Sequence, residues 1–438
     1  MKPLIKYTGG KYDEYDKIKK YFPSTINNYF EPFFGGGGVF FRLINDSKIT
    51  GNTNINDYSS DLIDFYKSVS GNTFSIELHK VSAAWDCVRA LGKVIYEEHG
   101  TRFGRLILER SSENFVNDEV SKLINDAVSK IALRLHGISL SNKIEKELEN
   151  KIKRFKTKVD KEEKRVVCER IMNLFNEYPQ QVKLKTDICR WLEDSKHILK
   201  KDEKPSLIGE ISDFLENRSK EKENIVYKCI TTSVCQGFYF VIRDMYNEWN
   251  NHNKKEEYTL DERSAQWFFI REYCFGSMFR FGKNGDFNIP YGGFTYNDKC
   301  FTCKIENITS DECKNIFKSI NIYCEDFEKP IREWKYDEHD FMFLDPPYDS
   351  TFTDYDDIPF TKEDHKRLEN CLRQCKCKWL MVIGKTDFIC DLYKDYCVIE
   401  YDKTYMYQAK GDYDNKHTTH LVITNYLISD NIDEEMQP

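Results

Sequence analysis

The stretch "DFMFLDPPYDS" (residues 340–350) runs four apolar residues into an aspartate, two prolines and a tyrosine. A short apolar run bounded by turn formers is the pattern of a strand covered on both faces. Asp345 then stands at the tip of that strand, and in parallel sheets the carboxyl ends of the strands are where ligands bind. Pro346 and Pro347 fix the backbone, so the Asp345 carboxylate and the Pro346 carbonyl can converge on one nitrogen. Tyr348 offers a face on which a flat ring can stack. The arrangement suits an amino group on a planar heterocycle. The plainer reading, a turn capped by an aspartate, stays open on this stretch alone.

Working outward, six more segments read as strands: 25–33, 52–58, 321–327, 379–385, 396–402 and 420–427. Helical patterns separate many of them. "TKEDHKRLENCLRQC" opens with Thr361 and carries Asp364 three positions later, a capping-box spacing, and "SSDLIDFYKSV" and "SDECKNIFKSI" each begin with serine. Strands alternating with helices imply an α/β fold with parallel strands. No apolar helical pattern joins the last two strands, which predicts an antiparallel hairpin.

The middle of the chain differs. From about residue 71 to 263 it is charged and mostly helical in pattern, and in 142–171 Lys and Arg outnumber Asp and Glu. Such a run is ordinarily a solvated helical face, with a phosphate-facing arm as the functional alternative. The tail "SDNIDEEMQP" is acidic and poor in apolar residues, the composition of a disordered segment.

Two further features carry chemistry. In "YFEPFFGGGGVFFRL" (29–43) a strand meets four glycines and then an apolar helix. Such a turn lets backbone approach a ligand and offers free helix N–H groups, though many nucleoside-bearing ligands use one. Asp57 follows at the tip of the second strand, about twenty residues on, where Rossmann-like folds bind ribose hydroxyls. Together these favour a nucleoside-bearing cofactor, and the lack of a GKS or GKT disfavours a P-loop.

Bulk properties set outer limits. The 438 residues suffice for two or three domains, and 40 % hydrophobic content supports a sizeable core. No apolar run of about 18 residues and no signal-peptide pattern is present, so the expectation is a soluble intracellular protein. Fifteen cysteines are scattered without an export signal, which reads as reduced thiols. Neither the Cys300–Cys303 pair nor the Cys371, Cys375, Cys377 cluster has the spacing of structural zinc, and no metal is expected. The net charge of −8 argues mildly against a generic nucleic-acid binder, but local patches can act independently of it.

Taken in order, these motifs resemble the Dam-like (D12 class, alpha group) DNA adenine N6-methyltransferases. "KYTGGK" (6–11) resembles the family's start motif, with Tyr7 for the usual Trp; "EPFFGGGGVFF" its methyl-donor motif; and "INDYSSDLIDFYKSV" its ribose-binding segment. The segment 263–293 resembles its DNA-reading hairpin, and "CEDF" (324–327), "FLDPPY" and "HLVITNY" follow in the family's order. The resemblance spans roughly residues 1–70 and 263–427. It implies a Rossmann-like methyltransferase sheet of about seven strands, from 1–70 and 320–438, with a mostly helical target-recognition domain at 71–319. That domain would comprise a long insertion (71–262) and the hairpin (263–293).

The resemblance also implies S-adenosylmethionine as cofactor, double-stranded DNA as partner and a restriction–modification setting. Asp345, Pro346, Pro347 and Tyr348 would be catalytic. Tyr7, Lys11, Glu31, Phe33, Gly35, Gly37, Asp57, Asp326, Phe327 and Asp345 would bind the donor. Arg280, Lys283, Asn288, Lys410 and Lys416 would contact DNA. His417 and His420, in the segment 406–420, also suit backbone contact. Gly276 and Gly282 replace the asparagines usual in relatives, which leaves the recognition site open, and the long insertion could enlarge target recognition, mediate a homodimer or bind a partner. Two other functions compete: methylation of RNA adenine or of cytosine N4, and an inactive DNA-binding or assembly protein.

Overall fold

The computed structural model describes residues 1–7, 9–108, 225–252, 254–297, 299–349, 360–404 and 417–428. The run 142–171, Lys410, Lys416 and the acidic tail lie outside the described residues. The chain divides into two compact units. One comprises Met1–Glu77, Tyr246–Ile289 and Cys303–Pro438, the other Leu78–Met245 and Pro290–Thr302.

The first unit is built on a seven-stranded sheet: β1 (Tyr29–Glu31), β2 (Thr53–Asn56), β3 (Ile320–Tyr323), β4 (Phe341–Leu344), β5 (Lys378–Gly384), β6 (Cys397–Thr404) and β7 (His417–Thr424). The order across the sheet is β3-β2-β1-β4-β5-β7-β6. β3, β2, β1, β4 and β5 pair in parallel, while β7 runs antiparallel to both β5 and β6. All seven strands read from the sequence form, and the last two make the antiparallel pair foreseen. The fold is the Rossmann-like α/β class.

The apolar strings explain the middle of the sheet. Every residue of β4 is buried, as are the five residues Trp379–Ile383 of β5. Each such side chain contributes about 1.5–3 kcal/mol by leaving water. β3, with half-buried and exposed positions alternating, is an edge.

Helices start where the capping residues place them. α1 (Gly38–Asn45) follows the glycine turn, and Ser59 accepts from the Leu62 N–H to open α2 (Ser60–Val69). α3 (Thr73–Leu108) and α4 (Ile225–Asn250) supply the helical character expected of the described parts of 71–262. Thr259 and Glu262 form a capping box on α5 (Leu260–Tyr273), and Ser310 caps α6 (Asp311–Ser319). Thr361 and Asp364 make the foreseen box on α7 (Lys362–Arg373). α2 packs on α5, with Phe65 stacked on Phe268 at 5.4 Å and Ser68 hydrogen-bonded to Ser264. In the second unit Trp85 packs on Phe238, and Asn297 links the Tyr291 hydroxyl to Thr232.

The thiol reading needs one correction. Cys300 and Cys303 are each disulfide-bonded, whereas Cys371, Cys375, Cys377 and others are free. Among the described residues no helix is long and apolar enough to cross a membrane, and no group of three or more His, Cys, Asp or Glu could hold a metal ion.

Candidate active site

The chain leaves β1 outward to β2 and β3, then returns to β4 on the other side of β1. Where a sheet reverses its strand order, the loops part and leave a crevice at the carboxyl ends. The tips bordering this one are the Glu31–Gly38 turn after β1 and Asp345 after β4.

The turn after β1 needs its glycines. Gly35 and Gly37 have φ of +49° and +64°, a region other residues enter only with strain. A Cβ on Gly37 would lie 2.6 Å from Phe34 Cζ, and one on Gly35 2.9 Å from Tyr7 Cε1. The turn is tied to β2 and α2: the Gly35 N–H donates to Asp57 Oδ2 at 2.8 Å, and Tyr66 donates to the Gly35 carbonyl at 2.9 Å. Asp57 Oδ1 also accepts from the Ser59 N–H.

At the tip of β4, Lys11 Nζ stands 2.8 Å and 2.9 Å from the two Asp345 carboxylate oxygens, and it also donates to the Gly9 carbonyl at 2.8 Å. The Lys11 side chain is 2 % exposed and that of Asp345 19 %. Sequence reasoning assigned Lys11 to the donor and did not foresee this pairing, because 334 positions separate the partners. The ammonium also lies 5.2 Å from the Tyr348 ring centroid. Gly384 at the end of β5 leaves room for that ring, and His420 meets it edge-on at 5.3 Å.

Glu31 is fully buried. Burial pushes its carboxyl well above the usual glutamate range; a hydrogen bond from Tyr29 opposes this, and the nearby charges of Asp345 and Asp57 add to the rise. The Glu31 carboxyl therefore lies within electrostatic reach of both Asp345 and Asp57, with the buried Lys11 side chain on Asp345. Such a place favours a ligand carrying positive charge.

After β3, Asp326 Oδ1 accepts from Arg367 at 2.7 Å and from the Glu328 N–H at 3.0 Å. Phe327 packs against Phe33 at 5.4 Å, and both meet Phe360 at 5.5 Å and 5.8 Å. The structure thus brings Phe33, Asp326 and Phe327 into one wall. It adds Phe360 and Arg367, which no local pattern linked to that segment.

The hairpin is a short one, with a bridge between Phe281 and Phe287 and a Gly282–Gly285 turn. The Phe287 side of its stem is buried, with Phe279 and Phe287 centroids 4.4 Å apart and Phe287 held by two hydrogen bonds to the Asn247 side chain. Arg280, Lys283 and Asn288 are exposed on it. His420 departs from expectation. It is 1 % exposed inside β7, with Nδ1 3.4 Å from Glu14 Oε2, and so cannot reach a phosphate backbone.

A family model described as D12 class N6 adenine-specific DNA methyltransferase matches residues 7–186 and 171–407. Among curated proteins, the Type II methyltransferase M.CviBI of Paramecium bursaria Chlorella virus NC1A is 39 % identical over 209 residues, covering 46 % of this chain and 76 % of the relative. Type II methyltransferase M.MjaIII of Methanocaldococcus jannaschii is 31 % identical over 199 residues, covering 43 % of this chain and 64 % of the relative. Type II methyltransferase M1.LlaDCHI of Lactococcus lactis subsp. cremoris is 31 % identical over 173 residues, covering 38 % and 59 % respectively. The chain thus spans three quarters of the first relative and less than two thirds of the other two.

Proposed function

The chain belongs to the D12 class N6 adenine-specific DNA methyltransferases, and from that premise we propose that the β1–β4 crevice moves a methyl group from S-adenosylmethionine to the N6 of an adenine flipped out of duplex DNA. The observation that carries this reading is Asp345, held at a strand tip beside a glycine turn in a crevice lined by carboxylates. S-adenosylmethionine, when bound, supplies an electrophilic methyl on a cationic sulfonium. The residues fit that group: Gly35 and Gly37 let the turn fold tightly against Tyr7 and Phe34, Asp57 accepts from its backbone, and the buried Glu31 carboxyl can ionise toward a bound cation. Tyr7 covers the turn, while Phe33, Asp326 and Phe327 form the wall suited to the donor's adenine ring.

The acceptor nitrogen is poorly nucleophilic, because its lone pair is delocalised into the purine. Asp345 and the Pro346 carbonyl accept its two hydrogens, which favours a tetrahedral nitrogen and frees the pair for attack. The carboxylate also stabilises the positive charge that develops on N6, and the departing proton passes toward it. Lys11 keeps Asp345 ionised and aimed; as the amine enters, it takes up part of the hydrogen bonding that Lys11 supplies. The target nitrogen is out of reach inside a duplex, so the base leaves the stack and rests on Tyr348, whose ring Gly384 and His420 hold in place. Fixed geometry supplies much of the remaining acceleration.

On this reading Arg280, exposed on the hairpin, makes a bidentate contact with guanine, and the exposed Lys283 and Asn288 contact the backbone. The family match favours adenine in DNA over RNA adenine or cytosine N4. The intact Asp345–Tyr348 motif speaks against an inactive binder. Base-resolution mapping of methylated adenines in DNA from cells expressing the protein tests the reading. A single recurrent sequence context carrying N6-methyladenine is expected; unmodified adenines throughout would refute it.

A further inference from the structure

Arg271, in the last turn of α5, is 6 % exposed and takes no part in the chemistry above. Its Nε donates to the Lys6 carbonyl at 3.3 Å. Its guanidinium carbon lies 4.8 Å from the Tyr7 ring centroid, 5.0 Å from Phe279 and 5.5 Å from Trp267. Tyr7 is the ring pressed on the glycine turn: a Cβ on Gly36 would stand 2.7 Å from Tyr7 Cβ. Phe279 immediately precedes Arg280 and is the inner side of the hairpin stem. One buried cation therefore touches the cover of the donor turn on one side and the root of the DNA-contact hairpin on the other.

Resting on the donor and DNA assignments made above, we infer that Arg271 is a positioning residue that couples DNA docking at the hairpin to donor binding at the glycine turn. The guanidinium stays charged, and its plane can stack on ring faces as no ammonium does. Attraction to a ring face is strong only when the cation sits over it, so Tyr7 and Phe279 compete for and share one partner. Close-packed interiors transmit rather than absorb such shifts. A duplex that pulls Arg280 and Phe279 into one position thereby fixes Arg271 and, through it, Tyr7 on the turn. The preordered turn then takes the donor at a smaller entropic cost.

Equilibrium dialysis with radiolabelled S-adenosylhomocysteine, with and without saturating unmethylated plasmid DNA, reads this coupling directly. In the parent protein, DNA should tighten binding at least about fivefold. In Arg271→Met the factor should fall toward one, while affinity without DNA changes by less than about threefold. Arg271→Lys, which keeps charge and most of the length, should give an intermediate factor and serves if the Met variant does not fold. The inference is overturned if the parent shows no coupling, if the variant that folds retains the parent's factor, or if it loses affinity equally with and without DNA, as a mere prop would. Failure of the parent to bind the ligand under either condition would instead sink the proposed function, and this inference with it.

Discussion

Replacing Asp345 with Asn removes one negative charge and almost no volume, so it isolates the electrostatic part of the mechanism. As the amine attacks, N6 gains positive charge. A full charge about 3 Å from a carboxylate is worth about 5 kcal/mol at an effective dielectric constant of about 20. With roughly half a charge at the transition state this becomes about 2.5–3 kcal/mol, or about a hundredfold in rate. Lys11 deepens the loss. Its Nζ lies 2.8 Å and 2.9 Å from the two oxygens, so in Asp345→Asn it claims the single remaining acceptor and leaves the incoming amine facing an amide donor. The single-turnover rate should therefore fall by about two to four orders of magnitude, the range for a lost proton-accepting partner. The assay is transfer of tritiated methyl from S-adenosylmethionine to unmethylated plasmid DNA. Thermal unfolding and S-adenosylhomocysteine binding are measured on the same sample. A folded, ligand-binding Asn variant that turns over within about threefold of the parent would refute the reasoning, since it leaves under 1 kcal/mol for the carboxylate.

Three other outcomes are expected. Because burial raises the Glu31 pKa, the folded chain keeps a proton that the unfolded chain releases, so the stability this group contributes is present at low pH and is lost as pH rises toward its folded value. A cationic donor favours the ionised form, so S-adenosylmethionine binding without DNA should release protons and tighten as pH rises; calorimetry in two buffers checks this, and Glu31→Gln should flatten the dependence. Gly37→Ala forces a Cβ into φ +64° and to within 2.6 Å of Phe34, costing about 2 kcal/mol by denaturant titration, with weakened donor binding; an unchanged midpoint would remove the constraint on the turn. Arg280→Ala should relax methylation at one position of the mapped site by about 1–3 kcal/mol, whereas Lys283→Ala should weaken DNA binding uniformly and lower its salt slope by about one; a swap of these two phenotypes would reassign both residues.

Much of the sheet was legible because its strands are buried on both faces, which writes them as continuous apolar strings such as Phe341–Leu344 and Trp379–Ile383. Caps were legible for a similar reason: Ser59, Ser310 and Thr361 act on N–H groups three residues away. Strand ends were not. β1 covers only Tyr29–Glu31 of the nine-residue segment 25–33, since Pro32 has no N–H for a ladder and the chain must already turn toward the glycines. Pairings across the chain were the least legible. Lys11 with Asp345, Arg367 with Asp326 and His420 with Glu14 join segments whose proximity exists only after the sheet has formed. Local periodicity carries no trace of them.

The acidity of the chain gains its meaning from the crevice. A protein of net charge −8 that handles a polyanion looks ill-suited to its substrate, yet charges more than about 10 Å apart are screened from one another. On the proposed reading the hairpin can therefore present Arg280 and Lys283 to DNA while Glu31, Asp57 and Asp345 serve a cationic donor in the crevice. Burying and crowding those acids has its own consequence: at Glu31 burial first, and then the neighbouring Asp345 and Asp57, make the carboxyl harder to ionise. An Asp345 driven to hold a proton would donate to the amine instead of accepting from it. The buried Lys11 ammonium prevents that without adding charge to the surface. On this account Lys11→Met, which keeps the bulk of the side chain, should move the acid limb of the rate profile, where the rate rises, to higher pH, and high pH should recover much of the lost rate. A variant slowed equally at every pH would show that Lys11 only places Asp345 and does not set its charge.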